Sequence, residues 1–375
     1  MVHIPSMIVK SWILIAGVTQ AAPAGLSGLS LRQDAEPASC TDEVRLIRRE
    51  WGDISSEERL AFISSVQCLM ELPSRIPEGL APGSRSNYDD FIATHINRTL
   101  NVHTNGVFPT FHREFIYIFE NALRTECGYQ YALPYVDWTK WASDLASSPI
   151  FDGSETSLGG NGIFDANRTA AIIPGTTTTL ENGDGGGCVV TGPFANLTLS
   201  FQVFPQITDF GNLPVLEDPL GHYPHCLTRD LNNAIARASY STSKIDNIIS
   251  APDFINMVTE LDASGVDGNN DIGVHGGGHY SAGPDMWDFW ASPSDPTFWL
   301  HHGFVDKIYA DWQSGDPDTR VNAESAIAGT DALFNDGSGT AATLDYVIDM
   351  GFLARGKPIR DIVDISGGDY CYRYE

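Results

Sequence analysis

The sequence predicts a mainly α-helical fold with a four-helix bundle at its core, surrounded by long irregular loops and short strands. Two observations support the bundle: apolar residues recur at helical spacing in several segments, and capping residues stand where those segments begin. A third observation accounts for the loops, since Gly, Ser, Thr, Asn and Asp dominate residues 142–215 and helical spacing disappears there. The length of 375 residues fits one large domain or two small ones.

The first helices are predicted close to the N-terminal end of this domain. Apolar positions at helical spacing predict helices over 41–51 and 55–71. Ser55 would cap the second of these, with a glutamate three residues later as in a capping box. Ser86 or Asn87 would cap the helix that follows.

Histidines lie on the apolar faces of the next two predicted helices. His95 shares a face with aromatic and aliphatic residues in the helix at 87–100, and His112 belongs to the inner stripe of a helix that begins near Pro109. His103 falls in the turn between them. An imidazole that faces inward needs a polar partner, so these three residues are candidates for a buried site.

A second set of histidines occurs in residues 275–302. His275 and His279 are four residues apart and lie on one face if the segment is helical. Pro296 can begin a further helix on which His302 faces the interior, while His301 points about a quarter-turn away. A single pair of this spacing is more often structural than metal-binding. The first set changes that interpretation, because the two sets together hold seven of the ten histidines.

The composition of these sets favours copper over zinc. Each set offers three imidazoles with no interleaved cysteine or carboxylate ligand, which suits copper better than a structural zinc site. Six inward-facing imidazoles without a ligand would be a costly way to form a core.

These motifs resemble those of the type-3 copper proteins, which are the tyrosinases, catechol oxidases and hemocyanins. The first-site pattern of that family is His-x8-His followed by Arg and an aromatic-rich helix that ends in Glu, and it is matched by His103, His112, Arg113 and Glu120. The second-site pattern is His-x3-His, then DPxFxxHHxxxD and a late WQ, and it is matched up to Gln313. The resemblance extends from about residue 40 to the end and includes LPYVDW at 133–138 and YCYRY at 370–374.

The resemblance implies a pair of copper ions and an enzyme that acts on a small phenolic substrate and O2. One ion would be held by His95, His103 and His112, and the other by His275, His279 and His302, with His301 as a packed neighbour. The expected reaction is two-electron oxidation of o-diphenols to o-quinones with reduction of O2 to water. Alternatives are a tyrosinase that also hydroxylates monophenols, an o-aminophenol or natural-product tailoring oxidase, and a hemocyanin-like oxygen carrier. The chain is short for such a carrier and lacks its flanking domains.

Three positions bear on the choice among these activities. Gly276 follows His275, where relatives that hydroxylate monophenols carry an Asn that helps hold a water, although Asp271 could substitute for it. Phe289 matches the family's gate position and would narrow the mouth of the site. The residue two before His103 is not the cysteine that forms a thioether in many fungal relatives, so no thioether is expected. We therefore expect diphenol oxidation to exceed monophenol hydroxylation.

Three further polar residues are predicted to support the fold or the site. Asp306 lies one turn after His302 and is expected to order its helix or to pair with a basic neighbour. His222 and His225 fall outside both triads and are expected to have structural roles.

The net charge of −26 and the pI near 4.5 bear on the partners of the chain. Such an acidic protein should repel nucleic acid and anionic membranes, so neither is expected as a partner. The oligomeric state is left open.

The N-terminal residues predict secretion. Lys10 precedes a short apolar stretch and a small-residue segment, as in a signal peptide over 1–24, and no apolar run is long enough to span a bilayer. Residues 25–375 would then form one copper domain, with 142–215 as a loop-rich insertion and without a C-terminal lid. Six cysteines could form three disulfides in any of fifteen pairings. Glycosylation sequons begin at Asn97, Asn167 and Asn196.

Overall fold

The computed structural model describes residues 40–262, 271–335 and 337–375, which fall within one compact unit. The predicted signal peptide lies outside the described residues. The helices are α1 Ser56–Glu71, α2 Asn87–Val102, α3 Phe108–Cys127, α4 Trp138–Trp141, α5 Asn233–Ser239, α6 Thr242–Ile249, α7 Phe254–Leu261, α8 Gly273–Ala282, α9 Pro284–Trp287, α10 Thr297–Ser314 and α11 Pro317–Arg320. The mainly helical prediction is confirmed.

Among the described residues, the strands are short and occur in four separate pairs. They are β1 Leu46–Arg48, β2 Gly162–Phe164, β3 Gly186–Val189, β4 Thr198–Leu199, β5 His225–Cys226, β6 Val347–Ile348, β7 Lys357–Pro358 and β8 Tyr372–Tyr374. β1 pairs in parallel with β8, and the other pairs are antiparallel neighbours in the sequence. None of these pairs forms an extended sheet, so the core is built by helices.

Helices α2, α3, α8 and α10 surround the centre of the molecule. α10 packs against both α3 and α8, and α2 packs against α3. The indole of Trp299 on α10 stacks on the ring of Phe119 on α3, with centroids 3.6 Å apart and planes within 3°. Both side chains are fully buried, so this contact aligns two of the helices that carry the predicted histidines.

The predicted caps position these helices. Ser55 and Glu58 form the expected capping box at α1. Ser86, rather than Asn87, caps α2, and its side chain accepts a hydrogen bond from the backbone N–H of Asp89. Pro109 occupies the first turn of α3, where its missing N–H costs no helical hydrogen bond.

The helix predicted at 41–51 is wrong, because this segment holds a turn followed by β1. Tertiary contacts override its helical spacing: Leu46 pairs with Tyr372, and a disulfide joins Cys40 to Cys371. α5 begins at Asn233 and is capped by the side chain of Asn232. α6 was not predicted, although Ser241 caps it with the ordinary N-cap geometry.

Three disulfides select one of the fifteen possible pairings. The bonds join Cys40 to Cys371, Cys68 to Cys127, and Cys188 to Cys226. All six cysteines are therefore paired, and none is left for a thioether to a histidine. Residues 142–215 hold β2, β3 and β4, and the third bond ties this region to the chain just before α5. Within the described ranges, no helix has the length and apolar character of a membrane span.

Candidate dinuclear metal centre

Two groups of buried histidines lie at the centre of the helix bundle. Within each group the available ring nitrogens lie within 4.8 Å of one another, which is close enough to share one metal ion. The first group is His95, His103 and His112, and the second is His275, His279, His301 and His302. The predicted ligands are thus brought together, in two groups that contact each other: the rings of His112 and His302 stack with centroids 4.4 Å apart.

Backbone carbonyls fix the orientation of the first group. The Nδ1 atoms of His95, His103 and His112 lie 2.6, 2.8 and 2.9 Å from the carbonyl oxygens of Trp290, Thr99 and Phe108. A carbonyl oxygen only accepts, so each Nδ1 carries the proton of the neutral ring. Each Nε2 is then an unprotonated nitrogen, which is the form that binds a metal.

Two members of the second group are oriented in the same way but by different partners. His279 Nδ1 donates to the Met286 carbonyl at 2.6 Å, whereas His275 Nδ1 donates to a carboxylate oxygen of Asp262 at 2.8 Å. Their Nε2 atoms face each other at 3.0 Å, and His302 Nε2 lies 3.3 Å from that of His279. Because both Nδ1 atoms are protonated, the Nε2 atoms of His275 and His279 are unprotonated and their lone pairs repel each other. A cation bound by both nitrogens would stabilise this arrangement.

Unsatisfied buried atoms also indicate a metal ion. The Nε2 atoms of His95 and His112 are buried and have no hydrogen-bond partner. Buried polar atoms in native proteins almost always have one, and a metal ion bound to these nitrogens would supply it. Burial lowers the pKa of each candidate ligand, that of His279 to about 4, so these imidazoles are neutral and available as ligands at neutral pH.

A single hydrogen bond distinguishes His301 from His302. The indole Nε1–H of Trp138 donates to His301 Nδ1 at 3.1 Å. An indole cannot accept, so His301 Nδ1 is unprotonated and the proton of the neutral ring lies on Nε2. That nitrogen has no lone pair for a metal. The geometry therefore supports the assignment of His302 as the third ligand and His301 as its packed neighbour.

The run of glycines in α8 allows His301 and α5 to approach closely. A Cβ on Gly278 would lie 2.4 Å from the His301 ring, and one on Gly277 would lie 2.3 Å from Cβ of Ser239 on α5. Both distances are shorter than real Cβ contacts. A side chain at either position would therefore displace a neighbour of the site.

Asp306 is the centre of a buried charge network beneath the second group. Its carboxylate receives hydrogen bonds from Arg113 Nε at 2.6 Å and from the hydroxyls of Tyr372 and Tyr374 at 2.7 and 2.5 Å, and Arg48 lies at 3.3 Å. Burial alone would raise the pKa of Asp306, but the two arginines outweigh it and the pKa is lowered. Asp306 thus pairs with basic neighbours, the second of the two predicted roles.

Arg48 was not found from the sequence, because it lies in the segment wrongly predicted as a helix. It is fully buried and bonds to both Glu120 on α3 and Asp306 on α10. It thereby joins the N-terminal strand to two ligand-bearing helices.

A small pocket opens over the histidine groups. His103, His275 and His279 form part of its wall, together with Gly276 and Phe289. The ring of Phe289 lies 5.0 Å from that of His103, centroid to centroid. Two of the positions singled out in the sequence therefore stand beside the candidate ligands.

Two carboxylates line this pocket, those of Asp262 and Asp288, and Asp271 does not. Both carboxylate oxygens of Asp271 lie 2.7 Å from Nζ of Lys244, and Oδ1 also accepts the N–H of Gly273 at the start of α8. Asp262 follows α7 and precedes His275 by 13 residues. No sequence pattern links the two, which is why Asp262 was not predicted.

Three histidines do not belong to the two groups, and one of them, His3, lies outside the described residues. His225 Nε2 lies 2.8 Å from Asp285 Oδ1. Burial is the largest single influence on the pKa of His225 and lowers it, but the hydrogen bond and the charge of Asp285 together outweigh burial, so the pKa is raised. His222 is exposed. Neither His222 nor His225 belongs to a metal-binding group among the described residues, and their structural roles stay a prediction.

Known proteins resemble this chain over most of its length. Residues 85–315 match the family described as the common central domain of tyrosinase. Tyrosinase P of Aspergillus terreus is 39% identical over 351 residues, covering 90% of this chain and 97% of that protein. An N-acetyl-6-hydroxytryptophan oxidase of Emericella nidulans is 39% identical over 352 residues, covering 91% and 95%.

A solved structure agrees with these relatives. A glycine-to-asparagine mutant of the polyphenol oxidase of Thermothelomyces thermophila superimposes with a TM-score of 0.82 at 37% identity, covering 90% of each chain. The fold and the two histidine groups match what a copper pair requires. The chain therefore belongs to the tyrosinase family and is a two-copper oxidase of the polyphenol oxidase type.

Proposed function

We propose that the protein oxidises o-diphenols to o-quinones and reduces O2 to water, with two diphenols consumed for each O2. The observation that carries this proposal is the set of six buried imidazoles, five of them oriented through Nδ1 so that Nε2 faces the interior. We assign one copper to His95, His103 and His112 and the other to His275, His279 and His302. A copper pair there supplies two one-electron centres for a two-electron oxidation.

The residues around the pocket favour a diphenol over a monophenol. A monophenol must be delivered deprotonated, yet a phenol has a pKa of about 10 and requires a nearby base at neutral pH. Gly276 offers no side chain to hold a water, Asp262 already accepts from His275, and Asp271 is paired with Lys244. Phe289 lies against His103 and would narrow the approach to the copper pair.

Oxygen uptake by the copper-loaded protein tests this proposal. We expect rapid oxygen uptake with catechol and much slower uptake with phenol, which differs from catechol only by lacking the second hydroxyl group. Gly276→Asn should raise the monophenol rate relative to the diphenol rate, because the amide can hold a water beside the bound phenol. The proposal of a diphenol oxidase is wrong if the unmodified enzyme oxidises monophenols as fast as catechols and without a lag.

A second candidate function is the oxidative tailoring of a larger phenol in natural-product synthesis. It is favoured by the relative that is named for N-acetyl-6-hydroxytryptophan. Uptake assays with an o-aminophenol and with hydroxyindoles separate this candidate from catechol oxidation. The hemocyanin-like alternative has no support among these relatives, which are named as enzymes.

We further propose that the protein is secreted, with residues 1–24 as its signal peptide and 25–375 as the copper domain. Three disulfides fit an oxidising compartment, and the sequon residues Asn97, Asn167 and Asn196 are exposed. N-terminal sequencing of the protein recovered from the medium tests this. A mature chain that begins at Met1 would contradict it.

A further inference from the structure

A second and larger cavity adjoins the pocket over the histidines. Its volume is about 430 Å³, and the inner pocket is the smaller of the two. Both cavities are lined by Pro174, Tyr280, Trp287, Asp288 and Phe289, so they share a wall. A catechol ring held in the inner pocket would direct an outward-pointing substituent towards this larger cavity. We call the larger cavity the outer chamber.

The wall of the outer chamber nearest the inner pocket is aromatic. The rings of Tyr280 and Trp287 stack with centroids 6.0 Å apart and planes within 21°. Phe204 and Phe289 complete this side, and the indole of Trp287 and the ring of Phe289 are only partly buried. Partly exposed aromatic faces in a concave site are typical of ligand recognition through ring stacking.

Three of the polar side chains that line the chamber, those of Arg168, Gln206 and Asp288, are bonded within the protein. Arg168 donates from both terminal nitrogens to backbone carbonyls at 2.6 Å, and its Nε lies 3.4 Å from Asp230. Gln206 accepts from one backbone N–H and donates to one carbonyl. Asp288 accepts from three backbone N–H groups at 2.8 to 2.9 Å.

The charges around the outer chamber disfavour anionic substituents. Among the described residues that line the chamber, Arg168 is the only base, and its neutralised guanidinium offers little to an anion. The acidic chain, with a net charge of −26, also repels anions. A carboxylate-bearing phenol therefore finds no counter-ion where its side chain would lie.

Resting on the proposed diphenol oxidation, we propose that the outer chamber is a subsite for an uncharged aromatic group attached to the catechol. The substrate class is then the extended, neutral, multi-ring phenols rather than small catechols or phenolic amino acids. The catechol ring lies in the inner pocket, and the second ring stacks beside Trp287 and Tyr280. The volume, the wall shared with the inner pocket and the aromatic lining favour this occupant, as does the bonding of Arg168, Gln206 and Asp288 within the protein.

Three catechols and a matched pair of variants test the subsite. The copper-loaded enzyme is assayed with para-methylcatechol, para-phenylcatechol and dihydrocaffeate, which carry a small, an aromatic and an anionic substituent. We expect kcat/KM to be about tenfold higher for phenylcatechol than for methylcatechol, since stacking and burial of one ring are worth about 1.4 kcal/mol. Dihydrocaffeate should be poorer than methylcatechol.

Val203→Asp and Val215→Asp form the matched pair. Val203 lines the outer chamber but not the inner pocket and is 57% exposed, whereas Val215 is 87% exposed and lines neither. Val203→Asp should reduce the phenylcatechol preference to about one third or less by placing a charge in the aromatic chamber. Val215→Asp should leave the preference as in the unmodified protein.

The results separate this inference from the proposed function. If methylcatechol is oxidised but phenylcatechol shows no preference, or if both valine variants change it equally, the subsite is wrong and the diphenol oxidase stands. If neither catechol is oxidised, the proposed function fails. Anaerobic calorimetric titration of the copper-loaded protein with methylcatechol and phenylcatechol then tests the subsite by itself. Tighter binding of phenylcatechol that is weakened by Val203→Asp supports the subsite, and equal binding of the two catechols overturns it.

Discussion

Asp262 is expected to strengthen copper binding through His275. It is the one carboxylate seen to accept from a candidate ligand in the described structure, since the other oriented ligands donate to backbone carbonyls. Its Oδ1 lies 2.8 Å from His275 Nδ1, its Oδ2 accepts the N–H of Thr104 at 2.8 Å, and it is 3% exposed. A buried negative charge at this distance makes the imidazole a stronger donor to a metal.

The substitution Asp262→Asn removes this charge and changes little in volume. The amide oxygen can accept from only one of the two donors, while the NH2 group faces the other. We expect a loss of about 10- to 100-fold in affinity for the second copper, which is about 1.4 to 2.8 kcal/mol. One unsatisfied buried donor should also lower the stability of the metal-free protein by about 1 to 3 kcal/mol.

Chelator competition measures copper affinity, and urea unfolding of the metal-free protein measures stability. Asp288→Asn is the control, because Asp288 is also buried and lines the same pocket but accepts only from backbone N–H groups. It should lower stability without weakening copper binding. The reasoning is refuted if both variants lose stability alike and Asp262→Asn binds copper as tightly as the unmodified protein.

Three further predictions concern the site and its support. His279→Ala should reduce copper from two ions to about one per chain and abolish oxidase activity; metal analysis and oxygen uptake check this, and near-normal activity would contradict the ligand assignment. Gly278→Ala should lower the free energy of unfolding by about 1 to 3 kcal/mol, because its Cβ would lie 2.4 Å from the His301 ring; Gly211→Ala, whose Cβ would meet only the Asp209 side chain at 3.2 Å, is the control in thermal melts. The pKa of Asp306 is lowered, so the unfolded chain binds more protons than the native one below about pH 4, and stability should fall as pH falls through that range. Urea unfolding across that range should show a weaker pH dependence in Asp306→Asn, and an unchanged dependence would count against the ion pairs as its source.

The helices and the candidate ligands could be predicted because their signals are local. Positions four apart on a helix share a face, so the spacing of His275 and His279 alone placed both imidazoles on one side of α8. The cap at Ser55 also depends on neighbours three residues away. Contacts between residues three or four positions apart require only that one or two helical turns form, and the local sequence is enough to predict those turns.

Contacts between distant parts of the chain decided the rest. Arg48 and Asp306 are 258 residues apart in the sequence. Arg48 lies in strand β1, where the local spacing of apolar residues predicted a helix, and it is buried between α3 and α10. Trp138, 163 residues before His301, determines which nitrogen of that ring carries the proton. The pairing of Asp262 with His275 likewise requires α7 to pack beside α8. The sequence around a carboxylate or an indole does not distinguish a side chain on the surface from one beside a metal site. Only the packing of the helices determines which partner the side chain contacts.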